Sequence, residues 1–198
     1  MRLVQRGASL KPKSELDTKL ILAGVGGQGV LFATKVFSET ALTLGHDVLG
    51  SETHGMSQRG GSVISHLKIG SYESPLVRHA TADVVLAFHQ HEAYRSLVFL
   101  RRGGLCFVNG PNSDSWDRGV KDYMAENAIA AYVYPADDVA LEIGSPRSAN
   151  LALIGYAISV PEMPFDHDQI RATIERITPS RFREANLEAF DTGYRRQR

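Results

Sequence analysis

The stretch Leu20–Gly29, LILAGVGGQG, decides the fold, and VLFATKVFSETAL follows it directly. Leu20 to Ala23 form an unbroken apolar run, as expected of a parallel strand buried on both faces. Gly24, Gly26, Gly27 and Gly29 then punctuate a turn. Beyond it Val30, Leu31, Ala33, Thr34, Phe37, Ala41 and Leu44 supply a stripe at helical spacing. The Gly-x-Gly-x-x-Gly pattern describes a strand–turn–helix in which glycine permits a tight turn and close approach of a ligand. The helix N-terminus offers N–H groups and positive dipole charge to a phosphate. A plain βα turn needs the same glycines, so this stretch alone predicts the fold and leaves the ligand open.

Working outward, Gly45 suits a helix C-cap. Asp47-Val48-Leu49-Gly50 is expected as a second strand parallel to the first, closing a βαβ unit of about thirty residues. A dinucleotide site needs an acidic residue about twenty residues on, at the end of that strand, for the ribose hydroxyls. Asp47 stands at its start and Glu52 beyond its end. The match to an NAD(P) site is poor.

Residues 51–70, SETHGMSQRGGSVISHLKIG, are polar and glycine-rich at first and strand-like after Ser62. Ser62 to Ile69 read as a strand at an edge or antiparallel. The loop before it is expected at the carboxyl end of the second strand, beside the glycine turn, where open α/β sheets bind ligands. Within it Ser57, Gln58, Arg59 and Gly60 lie together. Arg59, flanked by Gly60, offers a fork of donors to a phosphate or carboxylate.

The chain has 198 residues, which suits one domain, and 43% hydrophobic with 22% charged residues is a globular composition. Residues 1–17 are basic without apolar periodicity and read as a flexible tail ahead of a single domain over 18–198. Lys+Arg and Asp+Glu balance at 22 each, which argues against general nucleic-acid binding and against steering to anionic membranes. The stretch Ala149–Val160 is too short to span a bilayer. A cytoplasmic location is expected. The single Cys106, in the apolar run LCFV, reads as a core residue, and one cysteine cannot hold an iron–sulfur cluster.

Further strands are expected at 84–88, 105–108 and 131–134, helices after His91, around 121–127 and at 150–160, and two amphipathic helices after Phe165. The terminal EANLEAFDTGYRRQR is expected to end basic and exposed. This is an α/β fold: a Rossmann-like, open, mostly parallel sheet with helices on both faces. His89-x-His91-Glu92 invites a metal reading, but no acidic or cysteine set completes it, so a polar strand end is favoured. Ser57, His54 and Asp83 are types found in a hydrolytic triad, yet nothing here resembles a nucleophile elbow.

GVGGQGV, HGMSQRGGSVISHLKIG, SPLVRHATADVVLAFHQHEAYRSL and GGLCFVNG, in that order, resemble the gamma-type subunit of the 2-oxoacid:ferredoxin oxidoreductases. His-Gly-Met-Ser-Gln-Arg-Gly-Gly is characteristic of the beta subunit of the indolepyruvate type. Asn150-Leu-Ala-Leu-Ile-Gly155 and the stretch from Asn186 to Gly193 fit as well, so the resemblance spans residues 19–193. It implies a subunit, inactive alone, of an enzyme that oxidatively decarboxylates 2-oxoacids, of arylpyruvate or pyruvate type, to acyl-CoA with ferredoxin as acceptor. Thiamine diphosphate and 4Fe–4S clusters would reside on one or more larger partner subunits. This chain would contact coenzyme A through Gly24, Gly26, Gly27, Gln28 and Gly29, and through Ser57, Gln58, Arg59 and Gly60. It would carry no catalytic residue and no metal. Two other readings stand beside it: a self-contained NAD(P)-binding oxidoreductase and a purely structural assembly subunit.

Overall fold

The structure, a computed structural model, describes residues 16–54, 60–112 and 116–195. In chain order these form β1 (Thr18–Val25), α1 (Val30–Thr43), β2 (Val48–His54), β3 (Ser62–Ile69), β4 (Ala82–Ala87), α2 (Gln90–Ser96), β5 (Leu100–Asn109) and α3 (Arg118–Glu126). β6 (Ala130–Tyr134), α4 (Ala136–Glu142), α5 (Ala149–Ile158), α6 (His167–Ile177) and α7 (Ser180–Arg195) follow. Short 3-10 turns occupy Leu97–Phe99 and Pro146–Ser148.

The strands form one open sheet in the order β2-β3-β1-β4-β5-β6. β1, β4, β5 and β6 are parallel, as the apolar strands predict, and β3 is antiparallel to both β1 and β2. Here the expectation of a closed βαβ unit is corrected. β2 runs in the direction of β1 but does not pair with it, because β3 occupies the slot between them, with Leu20 opposite Leu67 and Gly50 also opposite Leu67. The reason is loop length. Only residues 55–61 separate β2 from β3, far too few for a parallel crossover of a dozen or more, so β3 returns antiparallel. β3 is therefore antiparallel and interior, and the edges are β2 and β6.

The unbroken apolar run of β1 follows from burial on both faces. Leu20 and Leu22 join Phe37 of α1, Leu151 and Ile154 of α5 and Phe190 of α7 in one core. Ile21 and Ala23 join Val85, Ala93 and Cys106 in the other, against α2 and α3. Cys106 is fully buried, and desolvation pushes its thiol up to about 12, so the thiolate needed for reactivity is suppressed.

α5 is apolar on all sides because it is packed on all sides. Its neighbour α7 approaches so closely that a Cβ on Gly155 would strike the Phe190 carbonyl oxygen, and one on Gly193 the Ala152 carbonyl oxygen. The C-terminal stretch buries Ala189, Phe190 and Gly193 against α5, while Arg195, the last described residue, is exposed. Asp166 and Gln169 form a capping box at the start of α6. A buried hydroxyl pair, Thr40 donating to Thr173 at 2.8 Å, ties α6 to α1. β5 begins at Leu100 rather than Leu105, and its register against β4 slips between Ala82 and Val84.

His66 of β3 is buried at 7% exposure, where Nδ1 accepts the Val77 N–H at 3.2 Å and the ring meets Phe99 edge-on. Burial, and secondarily the Lys68 charge, hold its pKa below the ordinary 6.5. The folded state prefers the neutral ring, so this contribution is fully present above pH 6.5 and is lost as pH falls through the lower folded value. Unfolding free energy measured by urea should therefore decline below pH 6.5, with a smaller decline in His66→Gln. Gly155→Ala should cost about 1–3 kcal/mol or more through overpacking in the same measurement. Gly50→Ala, whose Cβ meets nothing nearer than 3.7 Å, should stay within about 0.5 kcal/mol.

Candidate functional site

At the carboxyl edge of the sheet, the chain leaves β1 toward β2 on one side, while β4 leads through α2 to β5 on the other. A crevice opens at such a reversal, and open α/β sheets bind ligands there. The glycine turn lies in it, with Gly27 at φ +103° and Gly29 at φ +76°, values that favour glycine.

Gln28 shapes the turn. Its Oε1 accepts the Val25 N–H at 2.7 Å and its Nε2 donates to the Phe88 carbonyl at 3.0 Å, pinning the end of β1 to the end of β4. A Cβ on Gly24 would lie 3.0 Å from that Oε1 and 2.8 Å from Val30, so Gly24 is required by the packing beneath the turn. Asn109 of β5 also donates to the Phe88 carbonyl at 3.3 Å, and its Oδ1 accepts the Asp137 N–H. Asn150 of α5 donates to the Gly29 carbonyl at 3.2 Å. Its amide fills the space a Cβ on Gly29 would need.

Around these groups lies a cavity of about 310 Å³ lined by Gly27, Gln28, Asn109, Asp137, Arg147 and Asn150 among others. A Cβ on Gly27 would meet no atom within 4 Å, so its backbone faces open space. α1 begins here with no side-chain cap and no acid in its first turn. Its first N–H groups and dipole are thus left to an incoming anion. Arg147, exposed in the short turn before α5, adds a guanidinium, and Asp137 a carboxylate that accepts hydrogen bonds from hydroxyl or amino groups. The arrangement suits a phosphate ester bearing such a group.

Of the residues singled out from the sequence, Gly27, Gln28 and Gly29 stand at the crevice. Gly24 lies beneath it. Gly26 donates its N–H to the Gly61 carbonyl at 2.9 Å, tying the end of the 51–61 loop to the glycine turn. Gly60, at φ +82°, is exposed beside that tie. Ser57, Gln58 and Arg59 lie outside the described residues. Arg147, Asn109 and Asp137 were missed as site residues. Arg147 stands in a short polar break before the apolar α5, between Pro146 and Ser148, a signal too common to select it.

His89 caps α2 by accepting the His91 N–H at 3.2 Å. Glu92 turns inward to the Ser62 hydroxyl at 2.6 Å and Arg95 at 2.9 Å. Among the described residues, no three His, Cys, Asp or Glu side chains converge as metal ligands would. Asp83 sits at the amino end of β4, bonded to the Lys19 N–H and Arg101, at the opposite edge from the end of β2 where His54 lies. With β3 between β1 and β2, the strand expected to offer a ribose-binding acid is also displaced from the crevice, which disfavours the NAD(P) reading.

These features define an open α/β domain with a crevice at its topological switch point, lined by an uncapped helix start and the Arg147 guanidinium. The pyruvate ferredoxin/flavodoxin oxidoreductase family matches residues 19–196, and the chain belongs to that family. It is 32% identical over 193 residues to the indolepyruvate oxidoreductase subunit IorB of Thermococcus kodakarensis, covering 89% of this chain and 94% of that one. Its fold is similar to the gamma subunit of a keto/oxoacid ferredoxin oxidoreductase from Geobacter sulfurreducens, with TM-score 0.69, 21% identity and coverage of 89% and 96%. It is also similar to the 2-oxoglutarate:ferredoxin oxidoreductase of Magnetococcus marinus solved with 2-oxoglutarate, coenzyme A and succinyl-CoA bound. There the TM-score is 0.70 at 20% identity, covering 91% of this chain and 31% of that chain.

Gln28→Ala should destabilise the fold by about 1–3 kcal/mol, since the part-buried Val25 N–H loses its acceptor. Gln28→Glu keeps that acceptor but sets a carboxylate oxygen against the Phe88 carbonyl, so at pH 7 it should cost at least as much. Urea unfolding of the two variants checks the order.

Proposed function

We propose that this chain is the subunit without thiamine diphosphate or clusters of a 2-oxoacid:ferredoxin oxidoreductase of the arylpyruvate type, and that it holds part of coenzyme A at the glycine turn. The observation that carries the subunit role is the match to an indolepyruvate oxidoreductase subunit over nearly the whole of both chains. The crevice supports the CoA role: open backbone at Gly27, an uncapped α1 and the Arg147 guanidinium fit a phosphate. Coenzyme A supplies the thiol that accepts the acyl group.

This chain's own work is binding and orientation. The N–H groups at the start of α1 and Arg147 face the phosphates, while Gln28 and Asn150 hold the turn's shape. Arg59 in the adjoining loop adds a second cation on the sequence reading, with Ser57, Gln58 and Gly60 around it. Asp137 accepts from a hydroxyl or amino group. Decarboxylation and electron transfer need groups this chain lacks: one buried cysteine supplies no thiolate set for a cluster. Thiamine diphosphate and clusters therefore belong to larger partner subunits, with ferredoxin meeting the assembled enzyme in the cytoplasm.

The complex purified through this chain should be stabilised in thermal unfolding by CoA and not by NAD. Arg147→Ala should raise the CoA constant roughly tenfold to a hundredfold, the loss of one charge-assisted contact of about 1.5–3 kcal/mol. Gly27→Val should abolish the CoA shift, since it fills the open space and strains a φ of +103°. Stabilisation by NAD alone would establish the dehydrogenase reading. Stabilisation by neither, in an intact complex, would leave an assembly subunit.

A further inference from the structure

At the amino edge of the sheet, remote from the glycine turn, like charges are held together. Lys19 of β1 and Lys68 of β3 are directly opposite in the antiparallel register, an arrangement that costs stability unless an anion offsets it. Both ammonium groups stand over the ring of Tyr72, at 5.4 Å and 5.1 Å from its centre, so the aromatic face holds them side by side. Arg78 adds a third cation: it and Lys19, after burial, lower the pKa of Lys68. Asp83 is committed to the Lys19 N–H and to Arg101 at 2.7 Å. Among the described residues, none of Lys19, Lys68 and Arg78 makes an ion pair with an acidic side chain. The Tyr72 hydroxyl, shut off from solvent, has no hydrogen-bond partner among them either.

We propose that the Lys19–Tyr72–Lys68 cluster, with Arg78, is the surface on which an acidic segment of the larger partner subunit docks. The inference rests on the subunit role proposed above. Two observations favour a protein carboxylate over a phosphate. The helices following β1, β4, β5 and β6 all begin at the carboxyl edge, so the backbone donors of those helix starts are at the other end of the sheet, some 20 Å away along β1. The amino edge offers side-chain cations instead. Leu76, two residues before Arg78 in the chain, is 53% exposed, and exposed apolar side chains among cations suit a protein interface. Docking here leaves the crevice free. Opposite charge across the contact would relieve the Lys19–Lys68 repulsion and steer assembly.

The test uses the complex isolated through a tag on this chain, resolved into its subunits and reassembled. Wild-type affinity should weaken as salt rises from roughly 0.05 to 0.5 M, as a charge-based contact requires. Lys19→Glu should raise the dissociation constant at least about tenfold at low salt. The isolated variant should at the same time keep or raise its Tm, because the new carboxylate faces Lys68. Lower affinity with undiminished stability is an outcome that simple misfolding does not give. Lys68→Glu should act in the same direction. Unchanged affinity in both variants, with a wild-type complex that assembles, would overturn the docking inference and leave the subunit role standing. A wild-type chain that never assembles with a larger subunit would overturn both. Binding of tripolyphosphate or of an oligonucleotide to the isolated chain, lost in Lys19→Glu while assembly persists, would make the cluster a free-anion or nucleic-acid site and overturn the inference.

Discussion

The Gln28 amide is the constraint on which the carboxyl edge depends. One side chain satisfies the last N–H of β1 at Val25 and the carbonyl just past β4 at Phe88, across the point where the sheet's connections diverge. Its position dictates its neighbours. Gly24 lacks a Cβ because Oε1 and Val30 occupy that space, and Phe88 presses from β4. Gly27 and Gly29 adopt positive φ so that the chain can pass over the amide and enter α1. Asn109 reaches the same Phe88 carbonyl from β5, so three adjacent strand ends are stapled through one acceptor. The glycines thus divide by duty. Gly24 and Gly29 make room for protein atoms, whereas the space beside Gly27 is open.

The interior position of β3 has a second consequence for the site. β2 ends and β3 begins at the carboxyl edge, so both ends of the connection between them lie at that edge. The Gly26 N–H to Gly61 carbonyl bond secures its far end, and Ser62 is held in turn by the buried carboxylate of Glu92. Had β2 paired directly with β1, the connection would open one strand nearer the crevice and a βαβ unit would be complete. The inserted antiparallel strand instead sets Gly61 and Ser62 beside the end of β1. A fold of dinucleotide-binding appearance thereby lacks the adjacent β1–β2 pair on which a ribose-binding acid would sit.

Most of the fold was legible because its signals are local. Four apolar residues flanked by glycine marked β1. The helical stripe ended at Gly45, and the apolar stretch after Ala149 marked a helix buried all round. Strand order was not legible, because nothing in Asp47–Gly50 states which neighbour it takes. That choice is made by the short connection to β3. Within the site the glycine turn was visible as a motif, since turn geometry restricts residue type. Asn109, Asp137, Arg147 and Asn150 were not, because they come from four different elements and meet only through the sheet. His89 was ambiguous for a related reason: a helix-capping imidazole and a metal-binding one have the same one-letter code, and only the His91 N–H distinguishes them.

The two edges of the sheet divide the chemistry in a way that composition conceals. A formal net charge of zero excludes strong long-range steering of the molecule as a whole. It says nothing about segregation within it. Parallel strands force the helices that follow them to start at one edge, so the free N–H groups and positive dipole ends gather there whatever the side chains are. The other edge receives no such help, and any anion recognition there must come from lysine and arginine. The Lys19–Lys68 pair is unfavourable for the isolated fold, and the register of β1 against β3 places the two directly opposite. A sheet whose interior register is fixed by Leu20, Leu22 and Leu67 cannot slide to relieve that repulsion. The Tyr72 ring offsets part of that repulsion, and a carboxylate of a docked partner would offset the rest.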